Sequence, residues 1–191
     1  SGSEDNPFSI TKAQLLAGFS DADSGETTTL QITDLIATDD QGNVVGSFAE
    51  NTTGTGWSFS PTDNFNGTVN LAYNVSDGSA STAATNSFNL AAVNDVPVLD
   101  PAVKASLIDG TEDLAYTINA IDLLTGFTDA DTGETATLQI FGLSATGGVI
   151  NDNNDGTYTY TPNPDTNGTV TLNYAVSDGV GGNTLASNTF N

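Results

Sequence analysis

The sequence predicts an all-β protein made of two antiparallel β-sandwich domains in tandem. Its most direct sign is internal repetition. Residues 18–32 (GFSDADSGETTTLQI) return as 126–140 (GFTDADTGETATLQI) with twelve of fifteen positions identical, and Asn66-Gly-Thr-Val-Asn-Leu-Ala-Tyr-Asn-Val-Ser-Asp-Gly78 returns as 167–179. A repeat of whole blocks at a fixed offset marks two copies of one module. Strand patterning is the next sign. Val69, Leu71, Tyr73 and Val75 alternate with polar or small residues, and Val170, Leu172, Tyr174 and Val176 do the same in copy two. Such period-two alternation puts one face on a core and the other in water. Finally, Asn, Asp and Gly clusters punctuate the chain about every eight to twelve residues, the spacing of a sandwich.

At 191 residues with a repeat near one hundred, each copy is long enough to bury its own core and too long to be a solenoid unit. The predicted domains are 1–95 and 96–191, joined by a short linker. In copy one the expected order begins at Glu4. Ala13-Gln-Leu-Leu16 follows as one helical turn, then strands carrying Leu30 and Ile32, Trp57 and Phe59, and Val69 to Val75. Copy two repeats this with Glu112, Ile121-Asp-Leu-Leu124, Leu138 and Ile140, Tyr158 and Tyr160, and Val170 to Val176. Asp155-Gly156 is expected to close a hairpin, since both residues tolerate positive φ. The offset falls from 108 to 101 between the blocks, so copy one carries seven extra residues, placed between Asp39 and Thr53. At the junction Val96 precedes Pro97 and is pushed towards extended geometry, giving a short, straight crossing. Copy one has three residues before Glu4, whereas copy two has sixteen from Val96 to Thr111 before Glu112. Copy one is therefore expected to lack its first strand, copy two the end of its last, and the chain to be a piece of a longer protein.

Charge narrows function. There are 24 acids against two bases, Lys12 and Lys104, for a formal net charge of −22. Such a chain repels phosphate backbones and anionic lipid, so neither nucleic acid nor membrane insertion is expected. With 37% apolar residues and strong strand patterning, the acids point to folded domains whose carboxylates are neutralised by cations; an acidic, soluble surface is the plainer alternative. Without Cys, Met or His, zinc, haem, iron–sulfur and thiol chemistry lose their usual ligands, and no disulfide is possible. Lacking a His or Cys base or nucleophile, and with its acids duplicated rather than confined to one copy, the chain is not expected to be an enzyme.

The acids themselves form the candidate site. Asp21-Ala-Asp23 and Asp129-Ala-Asp131 set two carboxylates in a turn before a strand. Calcium takes six to eight oxygens, so two aspartates need partners from other loops. An EF-hand is excluded because the twelfth position counted from Asp21 or Asp129 is Ile32 or Ile140 rather than a glutamate. Asp-x-Asp and Asp-Gly also serve simply as turn formers, and that alternative stands beside the metal reading.

The order Glu4-Asp5, Asp21-Ala-Asp23, Ser76-Asp-Gly78, Val93-Asn-Asp-x-Pro97, with the first three returning in copy two as Glu112-Asp113, Asp129-Ala-Asp131 and Ser177-Asp-Gly179, resembles the bacterial cadherin-like tandem repeats of large type I-secreted (RTX-type) adhesins. The resemblance implies Ig/cadherin-like Greek-key sandwiches and calcium bound where domains meet. Carried across by motif, it implies Glu4 and Asp63 at the bottom of copy one, Asn94 and Asp95 in the linker, and Asp129, Asp131 and Asp178 at the top of copy two. Asp21, Asp23 and Asp77 are the corresponding set for a preceding repeat. The linker has fewer acids than animal cadherins, which implies fewer ions per junction. On this resemblance the chain is a structural extender of a secreted, extracellular adhesin at a bacterial cell surface. Its partners are neighbouring repeats of the same polypeptide. A glycan-binding or homophilic module is the alternative, with Trp57 or the seven-residue insert as its contact.

Overall fold

A computed structural model describes residues 2–23 and 26–191, with Glu26 described by its backbone alone. The chain divides into two compact units, Ser1–Val93 and Asn94–Asn191. The expected division was at Asp95/Val96. Asn94 and Asp95 group with copy two because both are hydrogen-bonded to its acidic loops.

Copy one contains β1 (Gly2–Ser3), β2 (Phe8–Thr11), α1 (Lys12–Leu15), β3 (Gln31–Thr38), β4 (Gly46–Glu50), β5 (Gly56–Pro61), β6 (Gly67–Ser76) and β7 (Ser81–Ala91). One sheet has the order β1-β7-β6-β3 and the other β2-β5-β4. The chain passes between sheets after β1, α1, β3 and β5, while β4–β5 and β6–β7 are antiparallel hairpins. The period-two pattern of β6 works as the sequence implies: Val69, Leu71, Tyr73 and Val75 are buried, together with Phe59, Leu15 and Leu90. Burying each such side chain stabilises the fold by roughly 1.5–3 kcal/mol. α1 is one turn because Thr11 and Gln14 close a capping box at its start, and Leu15 is its buried residue. Gly2–Ser3 pairs in parallel with Leu90–Ala91.

Copy two contains β8 (Val98–Leu99), β9 (Tyr116–Asn119), α2 (Ala120–Leu124), β10 (Phe127–Thr128), β11 (Gln139–Ala145), β12 (Gly148–Asp152), β13 (Thr157–Pro162), β14 (Val170–Ser177) and β15 (Asn183–Phe190). Its sheets are β11-β14-β15 and β12-β13-β9, with β8 paired to β10. The core repeats that of copy one, with Ile118, Leu123, Leu172, Tyr174 and Val176 buried. Both copies tie the helical turn to the core with one tyrosine: Tyr73 donates to the Leu15 carbonyl at 2.8 Å and Tyr174 to the Leu123 carbonyl at 3.2 Å. Both also carry a bulge in the first long strand, where the register slips between Thr33 and Ile36 and between Phe141 and Ser144. The bulge needs a left-handed residue, supplied by Asp34 (φ 56°) and Gly142 (φ 61°).

Most of the extra length of copy one lies in the 39–45 connection between β3 and β4, where copy two uses Thr146-Gly147. Asp39 organises this loop by accepting from the Gln41 and Asn43 backbone N–H groups and the Asn43 amide. The β12–β13 hairpin uses Asn154 (φ 59°) and Gly156 (φ 86°) as its left-handed residues, rather than the expected Asp155-Gly156 pair. Asp155 instead accepts from the Thr157 backbone N–H and hydroxyl.

Candidate metal centre

The loop after β10 is shaped by its own sequence. Asp129 donates its N–H to Thr135 Oγ1 at 2.7 Å, Thr135 returns its hydroxyl to the Asp129 carbonyl at 3.1 Å, and Asp131 donates its N–H to Asp129 Oδ1 at 3.0 Å. The short 3-10 turn Glu134–Thr137 then lifts Glu134 towards Asp129. From the β14–β15 loop comes Asp178, only 5% exposed. Its Oδ1 accepts from the Val180 and Gly181 N–H groups, and its Oδ2 from the Gly182 N–H at 2.7 Å and the Asn94 amide at 2.9 Å. One carboxylate oxygen from each of Asp129, Glu134 and Asp178 lies within 4.8 Å of the others. Asp131 sits beside them and accepts from the Asp95 N–H at 2.8 Å.

The electrostatics of this group are uneven. Burial would raise the Asp178 carboxyl, but the Asn94 amide and the three loop N–H groups outweigh it and hold the group below the ordinary aspartate value. Glu134 moves the other way, pushed up by burial first and then by the negative charges of Asp131, Asp129 and Asp178. Among the described residues, Asp129 Oδ2 and Glu134 Oε2 are buried side-chain oxygens with no hydrogen-bond partner. Buried polar atoms are rarely left so, and two facing carboxylate oxygens repel. An all-oxygen donor set with two unsatisfied anionic atoms fits a hard divalent cation such as calcium.

Gly182 is part of the cradle. A Cβ there would collide with Asp178 Oδ2 and lie 2.6 Å from the Asp95 carbonyl oxygen, so a side chain would displace the carboxylate. Neither Glu134 nor Gly182 was singled out from the sequence. The signal for Glu134 was present, because Gly-Glu recurs at 25–26 and 133–134 inside the repeated block. Gly182 left no such signal, since the loop after Ser-Asp-Gly differs between copies.

Copy one repeats part of this wiring. Asp21 donates its N–H to Thr27 Oγ1 and accepts from the Asp23 N–H, while Asp77 accepts from the Ser79 and Ala80 N–H groups. Those backbone donors, Ala80 first, hold Asp77 below its ordinary pKa. Asp21 and Asp77 line one small hollow, and Asp23 is exposed. The Glu26 side chain, the counterpart of Glu134, lies outside the described residues.

The remaining candidates belong to the other end of copy one. Glu4 is 1% exposed, and its two oxygens accept from the Val93 N–H at 2.7 Å and the Asn66 amide at 3.0 Å. Asp63 is exposed in the loop after β5, beside Asn64, whose N–H donates to Asp5. Val93 and Asn94, consecutive in the chain, are thus anchored to Glu4 and to Asp178 respectively. Trp57 is half-buried, pairs with Ile10 across β2 and β5, and packs on the copy-one core.

The sequence profile of the Cadherin-like domain family matches residues 1–91 and again 93–191. The chain therefore belongs to the cadherin-like domain family, as two tandem repeats. None of the curated proteins compared with it matches. Among solved structures, the extracellular domain of protocadherin gamma-B4 is similar at 20% identity over 98% of this chain and 32% of that one, with a TM-score of 0.46. Human protocadherin-24 repeats 1–2 align at 15% identity over 82% of this chain and 77% of theirs, TM-score 0.46. An endo-fucoidan hydrolase of glycoside hydrolase family 107 aligns at 22% identity over 83% of this chain, TM-score 0.34; this chain spans 23% of that enzyme's length. Among the described residues, no helix is long and apolar enough to cross a membrane.

Proposed function

We propose that this chain is a structural extender of a bacterial surface adhesin, working outside the cell, in which calcium stiffens the crossing from one repeat to the next. The observation that carries the reading is the pair of unpartnered buried oxygens, Asp129 Oδ2 and Glu134 Oε2, set against the pre-formed Asp178 carboxylate. Asp129, Glu134 and Asp178 would hold the ion, with Asp131 and oxygens of Asn94 and Asp95 at hand. Bound calcium supplies the positive charge that cancels their mutual repulsion. The chain's own residues do the rest. Asn94 and Asp95 tie the linker to Asp178 and Asp131, and Glu4 holds the Val93 N–H one residue earlier. Tightening the carboxylates therefore tightens the backbone from Val93 to Pro97. Asp21, Asp23 and Asp77 form the equivalent acid set for a neighbouring repeat of the same polypeptide. Modules outside the cell commonly bind calcium at about 10⁻⁴–10⁻³ M, a range suited to extracellular concentrations.

Small-angle scattering with EGTA and with 10 mM calcium, a concentration about 10- to 100-fold above that range, tests the reading. The expected result is a longer maximum dimension with calcium, and loss of the change in Asp129→Ala plus Asp131→Ala. An unchanged profile for the wild type would leave an acidic spacer with no metal-dependent stiffness.

A further inference from the structure

The outer face of the β11-β14-β15 sheet in copy two is banded. Strand pairing sets Phe141 opposite Ala175 and Ala175 opposite Leu185, so these three side chains form one row across the sheet. The next row on one side is Gln139, Ser177 and Asn183, and on the other Ser144, Asn173 and Ser187. Tyr174 and Val176, which flank Ala175, are buried in the core, so the rows face outward. The bulge at Gly142 keeps Phe141 and Ser144, three residues apart, on the same face. Successive rows lie roughly 7 Å apart and neighbouring strands about 4.8 Å apart. An apolar band is thus bordered on both sides by amides and hydroxyls.

The band is not used in packing copy two. Phe141 is 53% and Leu185 87% exposed, and neither belongs to the core cluster. Gln139, Asn173 and Asn183 are exposed, and among the described residues their side-chain amides have no hydrogen-bond partner. No residue of β11, β14 or β15 is charged, although the chain carries 24 acids. Exposed apolar surface rimmed by polar groups marks a contact site.

Copy one has the same strands with a different face. The row equivalent to Phe141, Ala175 and Leu185 is Thr33, Asn74 and Ala83. Its amides are engaged by neighbours: Asn74 donates to Asp34 Oδ2 and Asn70 to Asp40 Oδ1, both at 2.8 Å, while Gln31 accepts from Lys12 Nζ and donates to the Thr29 carbonyl. Ile36, opposite Ala72, offers a branched side chain but no ring.

We propose that the outer face of the β11-β14-β15 sheet binds a neutral glycan of pyranose units with equatorial hydroxyls. Such a ring has a C–H face edged by hydroxyl groups, the same succession of apolar and polar zones as the sheet. Phe141 and Leu185 take the C–H face, and Ala175, with a single methyl, lets it come close. Gln139, Asn173 and Asn183 meet the hydroxyls with amides that both donate and accept. Charge selects a neutral chain: no cation on these strands draws a sulfate or uronate, and a net charge of −22 repels one. A second copy of the chain would bring the same repulsion. The proposal goes beyond the extender reading and involves no metal.

The test is titration of the isotope-labelled chain with cellohexaose in EGTA, followed by amide NMR shifts. Shifts are expected at millimolar sugar in residues 139–144, 171–177 and 183–189, and not in β3, β6 or β7. Phe141→Thr plus Leu185→Ala, which gives copy two the residues that copy one has there, should abolish them. Gln139→Ala plus Asn183→Ala should weaken binding about tenfold, as two lost hydrogen bonds would. All four substitutions are on exposed side chains, so the fold is kept. The proposal is overturned by absence of shifts, by shifts spread equally over both copies, by unchanged binding in either double variant, or by tighter binding of polygalacturonate. Concentration-dependent broadening of the same residues without sugar would also overturn it, since the face would then belong to a second copy of the chain. Because calcium is removed throughout, failure here leaves the metal reading standing.

Discussion

Replacing Glu134 by glutamine should have opposite effects in the absence and presence of calcium. The substitution keeps size and shape and removes one charge. In metal-free protein Glu134 ionises reluctantly, because it is half-buried and faces Asp131, Asp129 and Asp178. Its charge therefore opposes folding at neutral pH, and Glu134→Gln should raise the melting temperature of copy two in EGTA. With calcium the order reverses. A site with a dissociation constant near 10⁻⁴ M in 10 mM calcium sits at about 100-fold saturation, worth about 2.7 kcal/mol. For a domain of this size that is a rise of roughly 10–20 °C. Loss of one of three ligand charges should lower affinity about tenfold or more and cut the rise to about half. Scanning calorimetry across a calcium series reads both effects. Equal calcium-induced rises in wild type and variant would refute the assignment of the unpartnered oxygens to a cation.

Gly182→Ala should abolish the calcium-induced rise, because the added methyl takes the place of Asp178 Oδ2; isothermal titration checks this, and retained binding would show that Asp178 is not a ligand. Tyr73→Phe and Tyr174→Phe should each cost about 1 kcal/mol, the typical value of one hydrogen bond, and each in its own copy, seen as separate shifts of two calorimetric transitions. Acid should act on the copies differently in EGTA. The lowered pKa of Asp77 means its stabilisation is complete above the ordinary 3.8 and lost as pH falls through the lowered value, so Asp77→Asn should lower the copy-one melting point at pH 5 and cease to matter in stronger acid. The raised pKa of Glu134 has the opposite sign: its destabilising charge disappears as pH falls through the raised value, closing the gap between wild type and Glu134→Gln.

Duplication and alternation were enough to determine two β-sandwiches, because both are local properties of the chain. Val69 to Val75 had to share one face whatever they packed against, and a block repeated with its turns intact had to fold twice. The one-turn helices and the Asp-Ala-Asp turns were legible for the same reason, being set by residues within a few positions of one another. The acidic cluster was only half legible. Asp129, Asp131 and Asp178 could be selected by motif, but the place of Glu134 depends on a 3-10 turn bringing it back over Asp129. The role of Gly182 depends on how closely its backbone approaches a carboxylate four residues away. Nor could a pattern of residues tell Glu4, whose oxygens are both engaged by Val93 and Asn66, from Asp129, which keeps one oxygen unpartnered. Whether a carboxylate is satisfied is decided by donors arriving from distant strands, and only the folded chain brings them to it.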